Sequence, residues 1–160
     1  MLDAAHSRPP VATEGIAAET QRLGFKRASH PQTEALLRTL AASKPGGTLL
    51  ELGTGTGMGT AWLLDGMDAS ARLLTLDQNE ETVAIARKYL GADTRVKFLL
   101  VDVAEFVQAQ PASSFDLIFA DCYPGKFYLL DEALALLKKG GIYVVDDMRP
   151  APEGEMKSAR

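Results

Sequence analysis

Residues 51–59, Glu51-Leu52-Gly53-Thr54-Gly55-Thr56-Gly57-Met58-Gly59, follow directly on a short apolar run and lead into a helical segment. Glycine at alternate positions lets a backbone turn tightly and lets a ligand approach it closely. The spacing does not read phosphate. The dinucleotide pattern G-x-G-x-x-G fails in the registers that start at Gly53 and Gly55, because Met58 and Thr60 stand where the third glycine belongs, and a phosphate-binding G-x-x-x-x-G-K-[ST] lacks its lysine. About 20 residues beyond the loop, Asp77 closes the next apolar run. A carboxylate at that point of a nucleotide-binding sheet accepts both hydroxyls of a ribose.

More acids follow the later apolar runs. Asp102 comes just after Leu100-Val101, Asp121 closes Phe115 to Ala120, and Asp146 and Asp147 close Ile142 to Val145. In a doubly wound sheet ordered 3-2-1-4-5 the last two strands are neighbours, about 4.8 Å apart. Asp121, Asp146 and Asp147 are therefore expected to converge. Clustered like charges raise one another's pKa or recruit a cation, which leaves a divalent metal, a shared proton or a cationic substrate as explanations.

Thr48 to Leu52, Arg72 to Leu76, Arg95 to Val101, Phe115 to Ala120 and Ile142 to Val145 are the elements that position these groups. Such near-continuous apolar runs suit parallel strands buried on both faces. Helical segments separate them at Thr60 to Gly66, Asn79 to Leu90, Ala104 to Gln110 and Phe127 to Lys139, the last with Leu130, Leu134 and Leu137 on one face. Pro31 starts an earlier helix bearing Leu36, Leu37, Leu40 and Ala41, and Pro45-Gly46-Gly47 ends it. Before it, a loose arm and a short polar helix around Glu14 to Leu23 are assigned no role. The alternation predicts an α/β fold, Rossmann-like, doubly wound and mainly parallel, with helices on both faces. The expected divisions are an arm with its short helix at 1–28, the ligand-binding domain at 29–148 and a polar tail at 149–160.

A chain of 160 residues fits one domain. With 46% hydrophobic residues, 24% charged and a net charge of -4, it reads as an ordinary globular protein whose scattered basic residues make nucleic acid a poor partner. Cys122 has no second cysteine to pair with, no secretory start is visible and no apolar stretch reaches the roughly 20 residues that span a bilayer. The expected location is the cytoplasm. Asp121 beside Cys122 raises a thiol pKa and disfavours a nucleophilic role. Trp62 and Met67 are expected to pack against the sheet, Tyr123, Phe127 and Tyr128 to line either a substrate pocket or the core, and His30 to sit at a helix entry; His6 lies in the loose arm.

An acidic residue followed by G-x-G-x-G, here Glu51, Gly53, Gly55 and Gly57, resembles motif I of the class I S-adenosylmethionine-dependent methyltransferases. That ligand carries no phosphate, and an uncharged loop beside a carboxylate suits a sulfonium amino acid. The resemblance covers roughly Ser29 to Met148. It implies a cofactor site made by Glu51, Gly53, Thr54, Gly55, Gly57, Asp77, Gln78, Asp102, Val103 and Asp121, with Asp102 on the adenine amino group and Val103 beside the ring. S-adenosylhomocysteine is then the product. The acidic trio further resembles the metal-dependent catechol and caffeoyl-coenzyme A O-methyltransferases, which implies magnesium on Asp121 and Asp146, with Asp147 in place of the family's asparagine, and a general base at Lys126. The spacing from Asp121 to Lys126 is longer than the family's.

The activity so implied is methyl transfer to a hydroxyl of a small-molecule acceptor, with Asp121 and Lys126 catalytic. Transfer to a carboxylate or nitrogen, or a non-catalytic cofactor-binding module, are the alternatives. Asp121-Cys122-Tyr123-Pro124 does not reproduce the [DN]-P-P-[FY] clamp of nucleic-acid amino-methyltransferases. Relatives of this kind finish with an antiparallel strand pair that Arg149 to Arg160 is too short to supply, which implies a truncated or incompletely covered chain; the fifth strand is then expected to be an unprotected edge that invites pairing with another chain, as in a homo-oligomer, or aggregation.

Overall fold

The computed structural model describes residues 8–25 and 31–148; His6, the Ser29 boundary, His30 and the tail 149–160 lie outside the described residues. The elements run α1 (Ala12–Leu23), α2 (Pro31–Ala42), β1 (Thr48–Leu52), α3 (Met58–Gly66), β2 (Arg72–Asp77), α4 (Glu80–Leu90), β3 (Val96–Leu100), α5 (Val103–Ala109), β4 (Phe115–Ala120), α6 (Leu130–Ala135) and β5 (Leu137–Val145). They build one sheet in the order β3-β2-β1-β4-β5 with every pairing parallel. The doubly wound fold and its strand order are as the sequence predicts. The winding direction reverses between β1 and β4, and the carboxyl ends of strands at such a point open a ligand crevice.

Alternation along the strands sends side chains to two separate cores. Leu49, Leu73, Leu117 and Phe119 pack with Ile16, Leu37, Trp62, Leu63 and Met67 on one face. Leu50, Leu52, Leu76, Ile118 and Ala120 pack with Val103, Val107 and Leu136 on the other. The central strands β1 and β4 are covered on both faces, in keeping with their mainly apolar sequences. Trp62 and Met67 join the first core, as expected.

On that face α2 crosses α3 at Gly66, where an added Cβ would lie 2.1 Å from the Arg38 carbonyl oxygen. The contact is backbone to backbone and no rotamer change relieves it. Gly66→Ala is therefore expected to lower stability by about 2–3 kcal/mol, read as a drop in Tm with little change in ligand affinity.

Two expectations need correction. The short polar helix is integral to the fold: Ile16 of α1 is fully buried, the Tyr89 ring sits where a Gly15 side chain would begin, and Glu19 binds Lys88 and Tyr89 of α4. The helix expected over Phe127 to Lys139 is only the six residues of α6, and Leu137 to Lys139 belong to β5. The carbonyls of Ala135 and Leu136 accept from Ser113, Ser114 and Phe115 at the start of β4, so the groups that would prolong the helix are taken by the sheet. Ala133 and Leu136 are the buried positions of this segment, while Leu130 and Leu134 are exposed.

Candidate active site

The loop between β1 and α3 is held on two sides. The N–H groups of Gly53 and Thr54 both donate to the Leu76 carbonyl, at 2.9 and 3.0 Å, which ties the loop's start to β2. Gly53 has φ of 98° and its missing Cβ would lie 2.9 Å from the Asp121 carbonyl oxygen; Gly57 has φ of 95° and its Cβ would lie 2.7 Å from the Ala86 Cβ. A side chain at either position meets both a forbidden backbone region and a neighbour.

Asp77 ends β2 beneath the middle of this loop. Its Oδ2 accepts from the Gly55 N–H at 2.8 Å and its Oδ1 from the Asn79 N–H at 2.9 Å. Asp77 is only partly buried, and Gln78 next to it is exposed. Asp102 caps α5 through the Glu105 N–H at 3.0 Å and is exposed, whereas Val103 lies in the second core.

Glu51 stands differently from the expectation of direct contact with a ligand. Its side chain shares a sheet face with Leu49, is 1% exposed, and its Oε2 accepts from the hydroxyls of Thr60 at 2.5 Å and Thr75 at 2.6 Å. Thr75 in turn lies 2.6 Å from the Thr54 hydroxyl. The acid thus sits under the loop, joining α3, β2 and Thr54, and has almost no surface to offer a ligand. Burial pushes its pKa up to about 8 against the opposing pull of the two threonines, with Asp121 and Asp77 adding to the rise.

Asp121 leaves β4 with its N–H on the Leu52 carbonyl at 2.8 Å. Lys126 Nζ lies 4.0 Å from Asp121 Oδ1, with the lysine side chain 6% and the aspartate 17% exposed. The residues added between them form a turn: Lys126 and Phe127 donate their N–H groups to the Tyr123 carbonyl, Gly125 donates to Tyr128, and the Tyr143 hydroxyl donates to the Gly125 carbonyl at 2.5 Å. Coiling this stretch takes up the longer spacing and returns Lys126 to Asp121. Tyr123, Phe127 and Tyr128 stay exposed, with the first two rings 5.5 Å apart, and do not enter the core. Burial, with Asp77 and Asp121 nearby, raises the Cys122 thiol to about 12, which disfavours a nucleophilic role.

The third group of carboxylates does not gather as expected. Asp146 Oδ1 accepts from the Thr33 hydroxyl of α2 at 3.2 Å and from the Asp147 N–H at 2.9 Å. Asp147 has φ of 53° and is exposed, because the chain turns left-handed immediately after β5. Among the described residues no three His, Cys, Asp or Glu side chains stand together as metal ligands would. An ammonium lies beside Asp121 and a hydroxyl on Asp146, so the donor set does not fit magnesium in this arrangement. Sequence reasoning also missed Thr20, Thr33, Thr60 and Thr75, whose only signal is their type, since a lone threonine has no spacing to read.

A parallel 3-2-1-4-5 sheet with a glycine loop after its first strand and an acid ending its second defines a Rossmann-like methyltransferase fold. The chain belongs to the methyltransferase domain family, whose model matches residues 50–148. It is 32% identical over 120 residues to the probable O-methyltransferase Rv1220c of Mycobacterium tuberculosis, an alignment that takes in 72% of this chain and 54% of that protein. The chain thus spans about half the length of the curated relatives it matches. Cofactor-bound Rv0187 from MTB superposes with a TM-score of 0.76 at 25% identity, over 90% of this chain and 68% of that one. An O-methyltransferase from Bacillus cereus in complex with SAH shares the fold with a TM-score of 0.71 at 24% identity, over 84% and 64% of the two chains. No helix among the described residues is long and apolar enough to cross a membrane.

Proposed function

We propose that this chain carries out S-adenosylmethionine-dependent methyl transfer to a hydroxyl of a small molecule. The observation that carries the reading is the Gly53–Gly57 loop, wedged against Asp121 and Ala86 with Asp77 bound at its centre. The named O-methyltransferase among the relatives and the cofactor held by Rv0187 support it. S-adenosylmethionine, when bound, supplies an electrophilic methyl group on sulfur. The Gly53, Thr54, Gly55 and Gly57 backbone receives its amino-acid end, Asp77 and Gln78 its ribose, and Asp102 with the Val103 backbone its adenine. Glu51 acts from beneath, as a positioning residue.

We place the acceptor oxygen at the Asp121–Lys126 pair, which stands at the carboxyl end of β4 against Gly53. We assign the Lys126 ammonium to stabilising the developing oxyanion and the Asp121 carboxylate to receiving the hydroxyl proton. These roles need no magnesium, whose ligands the donor arrangement does not supply. The acceptor is a small molecule and not nucleic acid, the location is the cytoplasm, the domain takes in α1 together with 29–148, and β5, an edge strand among the described residues, suits a homo-oligomer.

Calorimetric titration with S-adenosylhomocysteine tests the cofactor site. Saturable binding is expected, and retention of a nicotinamide or flavin nucleotide in its place would refute the reading. Lys126→Met is expected to lower turnover about 100-fold while leaving S-adenosylhomocysteine affinity within about twofold. A parallel loss of affinity would show that the lysine serves the cofactor and not the acceptor.

A further inference from the structure

The glycine loop is held from a third side, by the helix to which the sequence assigns no role. Thr20 of α1 is 6% exposed and its hydroxyl is hydrogen-bonded at 2.8 Å to that of Thr56, itself 2% exposed. Thr56 directly follows Gly55, the residue whose N–H rests on Asp77. At the end of α1, Gly24 turns left-handed with φ of 69°, its N–H on the Gln21 carbonyl and the Phe25 N–H on the Thr20 carbonyl. That reversal brings the Phe25 ring to 3.6 Å from where a Gly55 side chain would begin. Two adjacent loop residues are thus engaged by one helix end, one through a buried hydroxyl and the other through an aromatic edge.

None of this is needed to dock α1. Ile16, the Gly15–Tyr89 contact and the Glu19 pairing with Lys88 and Tyr89 already fix it on α4. The Thr20 hydroxyl also bonds the Ile16 carbonyl of its own helix at 2.7 Å, and for packing alone an apolar pair in place of the two threonines would serve equally well.

We propose that Thr20 and Phe25 are positioning residues for the cofactor, holding Gly55 and Thr56 in the conformation that receives it. The inference rests on the proposed function and adds α1 to the binding machinery. Thr20→Val keeps the shape of the side chain and leaves the buried Thr56 hydroxyl without its partner. Because coupling between two elements is reciprocal, a cofactor that selects the fixed loop must also hold α1 more firmly.

The test combines calorimetry with hydrogen exchange on the whole chain. Thr20→Val is expected to bind S-adenosylhomocysteine about tenfold more weakly than the unchanged protein at a temperature well below both Tm values, and Thr20→Ser to restore binding to within about threefold. In the unchanged protein, saturating S-adenosylhomocysteine is expected to slow amide exchange within residues 12–23 several-fold, an observation that stands even if the valine variant does not fold. Equal affinity of Thr20→Val, or exchange in α1 indifferent to the ligand, would overturn the proposal. Absence of any S-adenosylhomocysteine binding by the unchanged protein would instead remove the proposed function and this inference with it.

Discussion

Asp77→Ala is expected to weaken S-adenosylhomocysteine binding about 100-fold, measured by calorimetry on protein whose circular dichroism is unchanged. The carboxylate is assigned two charge-assisted bonds to ribose hydroxyls, each worth about 1.5–3 kcal/mol. A factor of 100 corresponds to about 2.7 kcal/mol, so partial compensation by water is already allowed for. The same substitution takes the acceptor from the Gly55 N–H and so frees the centre of the loop. Asp77→Asn separates the two effects. It keeps an oxygen for Gly55 but loses the charge, and an intermediate loss of about tenfold is expected. If alanine here left affinity within threefold, the ribose would not lie on β2 and the whole cofactor orientation would have to be reversed.

The second large effect concerns Glu51 and pH. An acid whose folded-state pKa is raised keeps its proton in the folded protein after the unfolded chain has released it. Its stabilising contribution is complete below the unfolded value of 4.5, falls as pH rises, and is gone once pH passes the folded value of about 8. Within that window the loss amounts to at most about 1.4 kcal/mol per pH unit. Glu51→Gln cannot ionise, and its side-chain oxygen can still accept from Thr60 and Thr75. The variant is therefore expected to match the unchanged protein near pH 4.5 and to exceed it near pH 9 by on the order of 3 kcal/mol. In thermal melts that corresponds to roughly 6–12 °C. Parallel melting curves for the two proteins across the window would mean that Glu51 is solvated or paired in a way its 1% exposure does not suggest.

Glu51 also shows where reading residues in order stops being sufficient. Its place ahead of Gly53 marks it as part of the loop motif, and that much is local. Whether it faces a ligand or the core depends on which sheet face it shares and on Thr60 and Thr75 arriving from α3 and β2, 9 and 24 residues away in the chain. The same holds for the acidic trio. Neighbouring strands do bring Asp121 and Asp146 to one edge, as the Asp146 N–H on the Ala120 carbonyl records. The side chains part because Thr33 engages one, Lys126 stands beside another and Asp147 turns left-handed.

What the sequence by itself determined is whatever periodicity and local backbone chemistry encode: five apolar runs long enough for buried strands, glycines where the chain must take positive φ, and an acid at the end of each of four strands. From these the α/β class, the strand order and the position of Asp77 at the end of the second strand follow. The tertiary structure alone decided that α1 grips the loop, that α6 ends after six residues and that Lys126 reaches Asp121. The first two are set by hydrogen bonds between segments far apart in the chain, and the third by a local turn that the Tyr143 hydroxyl anchors from 18 residues away; none of these leaves a period or motif to read.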